Sequence, residues 1–172
     1  METSPLLELS GGTVFFGADA ALDHVDFRLF PGEVHSLMGE NGAGKSTLIK
    51  AITGALALSE GELRLDGSVV HLGSPHDAQL RGIRAVYQEI DLLPNISVAE
   101  NIALGCEPRR FGMIDWARMR QRAHDVLADL GLDIDPASIL GRHSLAVQQL
   151  VAIARAIFTD VRVLVLLSLI HI

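Results

Sequence analysis

The nine residues Gly39-Glu40-Asn41-Gly42-Ala43-Gly44-Lys45-Ser46-Thr47 constrain this chain more than any other stretch. They fit the pattern G-x-x-x-x-G-K-[S/T] without a mismatch. Residues 34–38 just before them are a short apolar run entered through Pro31-Gly32, which predicts a buried strand. Leu48, Ile49 and Ile52 just after them keep a helical period that stops at Gly54. In a strand, glycine loop and helix of this kind the glycines let the backbone wrap an anion with N–H groups pointing inward. The new helix adds its positive N-terminal end. The pattern assigns Lys45 to the β- and γ-phosphates of a nucleotide and the Ser46 hydroxyl to Mg²⁺. The bland alternative is a glycine-rich turn with a chance lysine. Nine matching residues with two agreeing flanks argue against it.

The rest of the chain reads as alternating strands and helices. Residues 6–30 suggest short strands with turns at Gly11-Gly12 and Gly17. Val25, Phe27 and Leu29 alternate with His24, Asp26 and Arg28, the pattern of a half-buried antiparallel strand. Phe15 and Phe16 fall in the expected loop between strands, where core packing and an aromatic platform for a base are both open. Asp66-Gly67 between two strand-like runs predicts a hairpin. Ser74-Pro75 predicts a helix start, with the helix ending near Gly82. Residues 83–87 form the next strand pattern and deliver Gln88 at its C-terminal end, where ligands collect in open α/β sheets. Ser97-Val98-Ala99-Glu100 predicts a capping box. Asp115 is expected to cap a longer helix with an apolar stripe of Trp116, Met119, Ala123, Val126, Leu127 and Leu130, ended by Gly131. Ser144 begins a last helix, and residues 161–167 read as a final buried strand.

Length and charge narrow the function classes. At 172 residues the chain suits one well-buried domain rather than two. A net charge of −7 argues against a nucleic-acid-wrapping surface, so no nucleic acid is expected as a partner. Cys106 is the sole cysteine, which excludes an internal disulfide framework and fits a reducing compartment. The first residues lack the features of a signal peptide, and no apolar run reaches the roughly 18 residues of a membrane span. Any membrane role is expected to come through a partner. His35, His71 and His143 show no metal-ligand spacing and read as surface or satisfied core residues.

With these segments placed, residues 6–166 resemble the ATP-binding-cassette ATPases of bacterial sugar importers. The likeness is to the first cassette of the tandem ribose/galactose/xylose type. It rests on Glu33-Val34-His35-Ser36-Leu37-Met38 leading into the loop, Tyr87-Gln88-Glu89, Ala99-Glu100-Asn101-Ile102-x-Leu104-Gly105 and Ile153-Ala154-Arg155-Ala156. The resemblance implies an α/β P-loop fold with an antiparallel β subdomain, a mainly parallel core sheet and a helical subdomain at about residues 92–158. It implies ATP and Mg²⁺ as cofactors, with membrane permease subunits and a second ATPase cassette as partners. The expected location is cytoplasmic, peripheral at the inner face of the plasma membrane. By position, Phe16 matches the family's adenine-stacking aromatic. Gln88 matches the glutamine that contacts Mg²⁺ and the lytic water, and Ser144 matches the signature serine that closes over a second cassette's γ-phosphate. A plain helix cap is the alternative for Ser144, and the two roles are compatible.

Two departures accompany the likeness. His143-Ser144-Leu145-Ala146-Val147 stands where the family has Leu-Ser-Gly-Gly-Gln, so Leu145 and Ala146 crowd a backbone meant to approach phosphate. After Leu166 the family continues into Asp-Glu-Pro-Thr, the Mg²⁺-holding aspartate and the general base. Here Leu167-Ser168-Leu169-Ile170-His171-Ile172 follows. Residues 167–172 are therefore expected to be a non-native tail, a sequence that one frame of a DNA-fragmenting transposon end also encodes. Beside the ATPase reading stands a nucleotide-binding or regulatory module that does not hydrolyse.

Overall fold

A computed structural model describes residues 4–40, 42–86 and 92–167. Asn41 and Gln88 lie outside the described residues, as does the tail from 168 onward. The chain divides into two compact units between Ile83 and Arg84.

The first unit is built on an antiparallel sheet. Its strands are β1 (Leu7–Phe16), β2 (Asp19–Leu29), β3 (Glu60–Leu65) and β4 (Ser68–Val70), in the order β2-β1-β3-β4. Leu7, Leu9, Leu63 and Leu65 alternate to the buried face. On the other face Arg28 of β2 donates to Glu8 of β1 at 2.8 Å, and Arg64 donates to Glu62 within β3. Burial of each such leucine contributes about 1.5–3 kcal/mol, so the apolar alternation sets the register. The Asp66-Gly67 turn between β3 and β4 takes φ values of 49° and 73°, the left-handed pair that a two-residue hairpin requires. The half-buried alternation expected of β2 is present, with Val25, Phe27 and Leu29 partly covered and their neighbours exposed.

Three expectations are corrected here. Gly11-Gly12 is not a turn, because β1 runs through it with a register shift between Leu9 and Gly12. Strand β3 crosses β1 closely at this point, with Gly61 as the residue that permits it. A Cβ on Gly12 would meet Leu9 at 2.6 Å, and one on Gly61 would meet the Gly11 carbonyl at 2.5 Å. Phe15 and Phe16 lie at the end of β1, paired with Ala20 and Asp19, rather than in a loop. Residues 34–38 form no strand and enter no sheet among the described residues, and Val34 and Met38 are 98% and 87% exposed. An apolar run becomes a buried strand only where neighbouring strands take up its N–H and C=O groups, and none among the described residues does so.

Helices α1 (Lys45–Ile52) and α2 (Pro75–Leu80) complete this unit. Leu48, Ile49, Ala51 and Ile52 of α1 are buried, as the helical period predicts. Ser74 caps α2 by accepting the Asp77 N–H, with proline at the first helical position.

The second unit is mainly helical. Strand β5 (Ile83–Val86) pairs with β8 (Val163–Leu166) in parallel, and the Leu167 N–H donates to the Val86 carbonyl at 2.9 Å. Between them come α3 (Val98–Ala103), a short hairpin of β6 (Arg109–Arg110) and β7 (Met113–Ile114), α4 (Trp116–Asp129), a 3₁₀ turn (Leu140–Arg142) and α5 (Leu145–Ile157). Ile102, Met119, Ala123, Leu127, Leu140, Val151, Ala154 and Phe158 form one buried cluster. Trp116 departs from the expected α4 stripe. It opens the helix and stays 47% exposed.

Candidate functional site

The glycine loop takes the form that its spacing requires. Gly42 and Gly44 hold φ values of 88° and 78°, and Gly39 lies at 151°. These are conformations that side-chain-bearing residues avoid. Gly44 is the N-cap of α1 and contributes no side-chain hydrogen bond. Intrahelical bonding begins with Leu48 N–H to the Gly44 carbonyl at 2.8 Å. The N–H groups of Lys45, Ser46 and Thr47 therefore have no partner within the helix. Among the described residues the other four α-helices each start on a side-chain cap, from Ser74, Ser97, Asp115 and Ser144.

Lys45 folds back over the loop and donates to the carbonyls of Gly39 and Glu40, both at 2.6 Å. An ammonium has three N–H donors, so one remains for a phosphate oxygen. A Cβ on Gly39 would stand 3.9 Å from the Lys45 Nζ, in ordinary contact with the lysine head group. Ser46 lies exposed in the first turn. Uncapped amides, a lysine held over them and a free hydroxyl are a donor set that suits a polyphosphate and its magnesium ion.

Strand β2 packs against the loop. The carbonyl of Ala21 and the side chain of Leu22, both in β2, lie 3.0 and 3.5 Å from where a Gly44 Cβ would be. The β1–β2 hairpin that carries Phe16 therefore starts against the loop. Phe15 and Phe16 are 44% and 56% exposed, so neither is a core residue. Glu33 fixes the turn into the loop: its carboxylate accepts the Phe30 N–H at 2.8 Å and meets His35 at 3.2 Å. The Phe30 contact first, and His35 after it, hold that carboxyl below its usual range.

Ser144 lies in the second unit, at the N-cap of α5, where its Oγ accepts the Val147 N–H at 3.4 Å. His143 is tied on both ends. Its Nε2 is 2.7 Å from the Ser138 Oγ, and its carbonyl accepts from the Gln148 side chain at 3.0 Å. Leu145 is 59% exposed beside the cap.

Sequence reasoning gave no structural role to Asn101, which is fully buried. Its Oδ1 accepts the Leu93 N–H at 2.8 Å, and its Nδ2 donates to the carbonyls of Leu93 and Ser97. The Gly141 N–H donates to Pro94 at 2.9 Å, and a Cβ there would meet the same carbonyl at 2.9 Å. The segment leaving residues 87–91 is thus stapled to the turn that enters Ser144. The available signal was one amide among the apolar Val98, Ala99, Ile102 and Ala103.

The family model described as "ABC transporter" matches residues 22–166. The chain belongs to the ABC transporter family. It is 48% identical over 162 residues to the ribose import ATP-binding protein RbsA 1 of Rubrobacter xylanophilus, covering 94% of this chain and 32% of that protein. It is 48% identical over 166 residues to the fructose import ATP-binding protein FruK of Bifidobacterium longum, covering 96% and 32%. With the galactofuranose transporter ATP-binding protein YtfR of Escherichia coli it shares 47% over 161 residues, again 94% and 32%. The chain spans about a third of the length of the curated relatives it matches.

Solved ABC cassettes share the fold. A nucleotide-free ATP-binding cassette from an ABC transporter superposes with a TM-score of 0.80 at 26% identity, covering 95% of this chain and 68% of that one. The ADP conformation of the cassette MJ1267 gives 0.81 at 28%, covering 94% and 68%. These neighbours bear out the α/β P-loop class, and the chain carries both an antiparallel sheet and a parallel strand pair. Among the described residues no helix is long and apolar enough to cross a membrane.

Proposed function

We propose that this chain is the nucleotide-binding part of a sugar importer's ATPase, binding Mg-ATP at residues 39–47. The observation that carries the reading is the start of α1, where uncapped amides and the folded-back Lys45 form an anion cradle. The sugar-import names of the relatives support the substrate class. In the whole protein, ATP hydrolysis would drive movement of permease subunits at the inner membrane face, with a second cassette completing the site.

Lys45 donates to the β- and γ-phosphates, and the amides of Gly42, Gly44, Lys45, Ser46 and Thr47 bind the same oxygens. Bound Mg²⁺ would neutralise charge on the transferred phosphate, with the Ser46 hydroxyl and Gln88 holding it. Phe16 stacks on adenine from the hairpin beside the loop. Ser144 faces the γ-phosphate held by the partner cassette. Each of these groups positions or polarises, and such effects supply most of phosphoryl-transfer catalysis.

A second reading, a module that binds nucleotide without turnover, is favoured by one observation. At α5 the serine already caps its own helix, and Leu145 projects beside it. Sustained phosphate release by the full-length protein would exclude this reading, and tight binding without release would support it.

Mg-ATP at a hundredfold excess over Kd should stabilise the chain by about 2.7 kcal/mol, read as a thermal shift. Lys45→Ala should remove most of that shift. An equal shift in the wild type and the variant would place binding elsewhere.

A further inference from the structure

Five of the chain's 14 lysines and arginines fall within residues 109–122, against one of its 21 acids, Asp115. On a chain of net charge −7 this is a local reversal of sign. The stretch opens with the β6–β7 hairpin, whose turn Phe111-Gly112 has φ values of 52° and 83°. Cross-strand partners share a face. Arg109 pairs with Ile114, which packs on the helical core, so Arg110 and its partner Met113 stand on the opposite face. Phe111 and Met113 are 89% and 71% exposed, and the Arg110 guanidinium lies 5.4 Å over the Phe111 ring. Trp116 has Arg120 one helical turn on, a spacing that makes them surface neighbours.

Two carboxylates lie nearby, and Glu107 offsets the charge of Arg109. Asp115 accepts the Arg118 N–H as N-cap of α4, and Glu107 accepts the Gly105 N–H at 3.0 Å. An open recess of about 350 Å³ is lined by Arg110, Phe111, Met113, Ile114, Asp115 and Trp116. The surface therefore combines the exposed Arg110 and Arg120 with three large apolar side chains left in water.

We propose that this hairpin tip is a contact site for an anionic lipid surface. Its arginines meet phosphate head groups while Phe111, Met113 and Trp116 enter the interface. Arginine with tryptophan and phenylalanine is the composition of interfacial contacts, because each pairs an apolar body with a polar or cationic end. An acidic protein segment is the competing partner, and the geometry disfavours it. Peptide recognition by strand addition uses a sheet edge of several residues, and each strand here has two. The proposal is independent of the nucleotide site.

Trp116 is the sole tryptophan, so its emission reports on the site directly. The test floats the 172-residue chain with vesicles of phosphatidylcholine alone, or of phosphatidylcholine mixed with phosphatidylglycerol. Flotation and a blue shift of emission are expected with the anionic vesicles only, weakening as salt is raised. Arg110→Gln and Arg120→Gln should each weaken binding about fivefold, and Phe111→Asp with Met113→Asp should abolish it. These positions are exposed, so melting temperatures should stay within a few degrees of wild type. Absence of flotation, equal flotation on neutral vesicles, or binding that these variants leave unchanged would overturn the proposal. So would a polyglutamate peptide that binds through the same residues while vesicles remain unbound, which would assign the patch to an acidic protein segment.

Discussion

The two helix starts that the sequence singles out for phosphate are built in opposite ways. At α1 the cap is a glycine with φ of 78°, no side chain closes the first turn, and Lys45 is held over the loop by two carbonyls. At α5 the cap is Ser144 in extended geometry, its hydroxyl takes the Val147 N–H, and Gln148 holds the preceding carbonyl. The difference lies in where the unpaired N–H groups go. The first helix leaves them for something outside the chain, whereas the second satisfies one of them from within. A helix N-terminus attracts anions through its dipole in either case, but only an open one can give the anion several amides at once.

Substitutions at the two caps should therefore have unequal consequences. Gly44→Ala should be the most damaging. It forces a left-handed conformation on a residue with a Cβ and places that atom 3.0 Å from the Ala21 carbonyl. A loss of about 1–3 kcal/mol is expected in denaturant unfolding, together with weakened Mg-ATP binding. If Gly44→Ala retained wild-type stability and binding, the left-handed cap would have no role and the contrast would collapse.

Ser144→Ala should cost about 1 kcal/mol, whereas Ser144→Gly should cost only a few tenths, since glycine is itself a tolerable cap. Neither should alter Mg-ATP binding by the isolated chain. A large change in affinity from either variant would show that α5 already serves the nucleotide bound at α1.

The smallest effect is expected at a third start, that of α3, which is closed from both sides. The Ser97 hydroxyl and then the Ser97 N–H hold the Glu100 carboxyl below its ordinary 4.5. A carboxyl lowered on folding contributes its full stability above the unfolded value and loses it as pH falls through the folded one. Stability measured downward from pH 5 should therefore decline less steeply in Glu100→Gln than in wild type. Parallel curves would show that the capping box carries no pH dependence.

These helix starts were also the most legible parts of the sequence. Ser74, Ser97, Asp115 and Ser144 all cap as their residue types predict, because a cap depends on four neighbouring residues. The phosphate loop was legible for the same reason. What local pattern could not supply was anything set by distant partners. The apolar run 34–38 reads as a strand on its own, but strand formation depends on neighbours that periodicity does not reveal. Gly11-Gly12 reads as a turn until Gly61 is known to pass against it. Trp116 fits the α4 period and still stands outside the packed cluster, because period fixes direction and not depth. The roles of Phe16, Gln88 and Ser144 came from resemblance. For Phe16 the structure shows an exposed ring at the end of β1, on a hairpin whose second strand packs against Gly44.

As proposed, α1 presents open amides to a polyphosphate and α5 does not. Backbone amide resonances of the isotope-labelled chain, followed during Mg-ATP titration, test it most directly. Gly42, Gly44, Lys45, Ser46 and Thr47 should shift together and saturate at one affinity, while Leu145, Ala146 and Val147 stay in place. Shifts centred on the start of α5, or saturation that leaves the α1 amides unmoved, would contradict it.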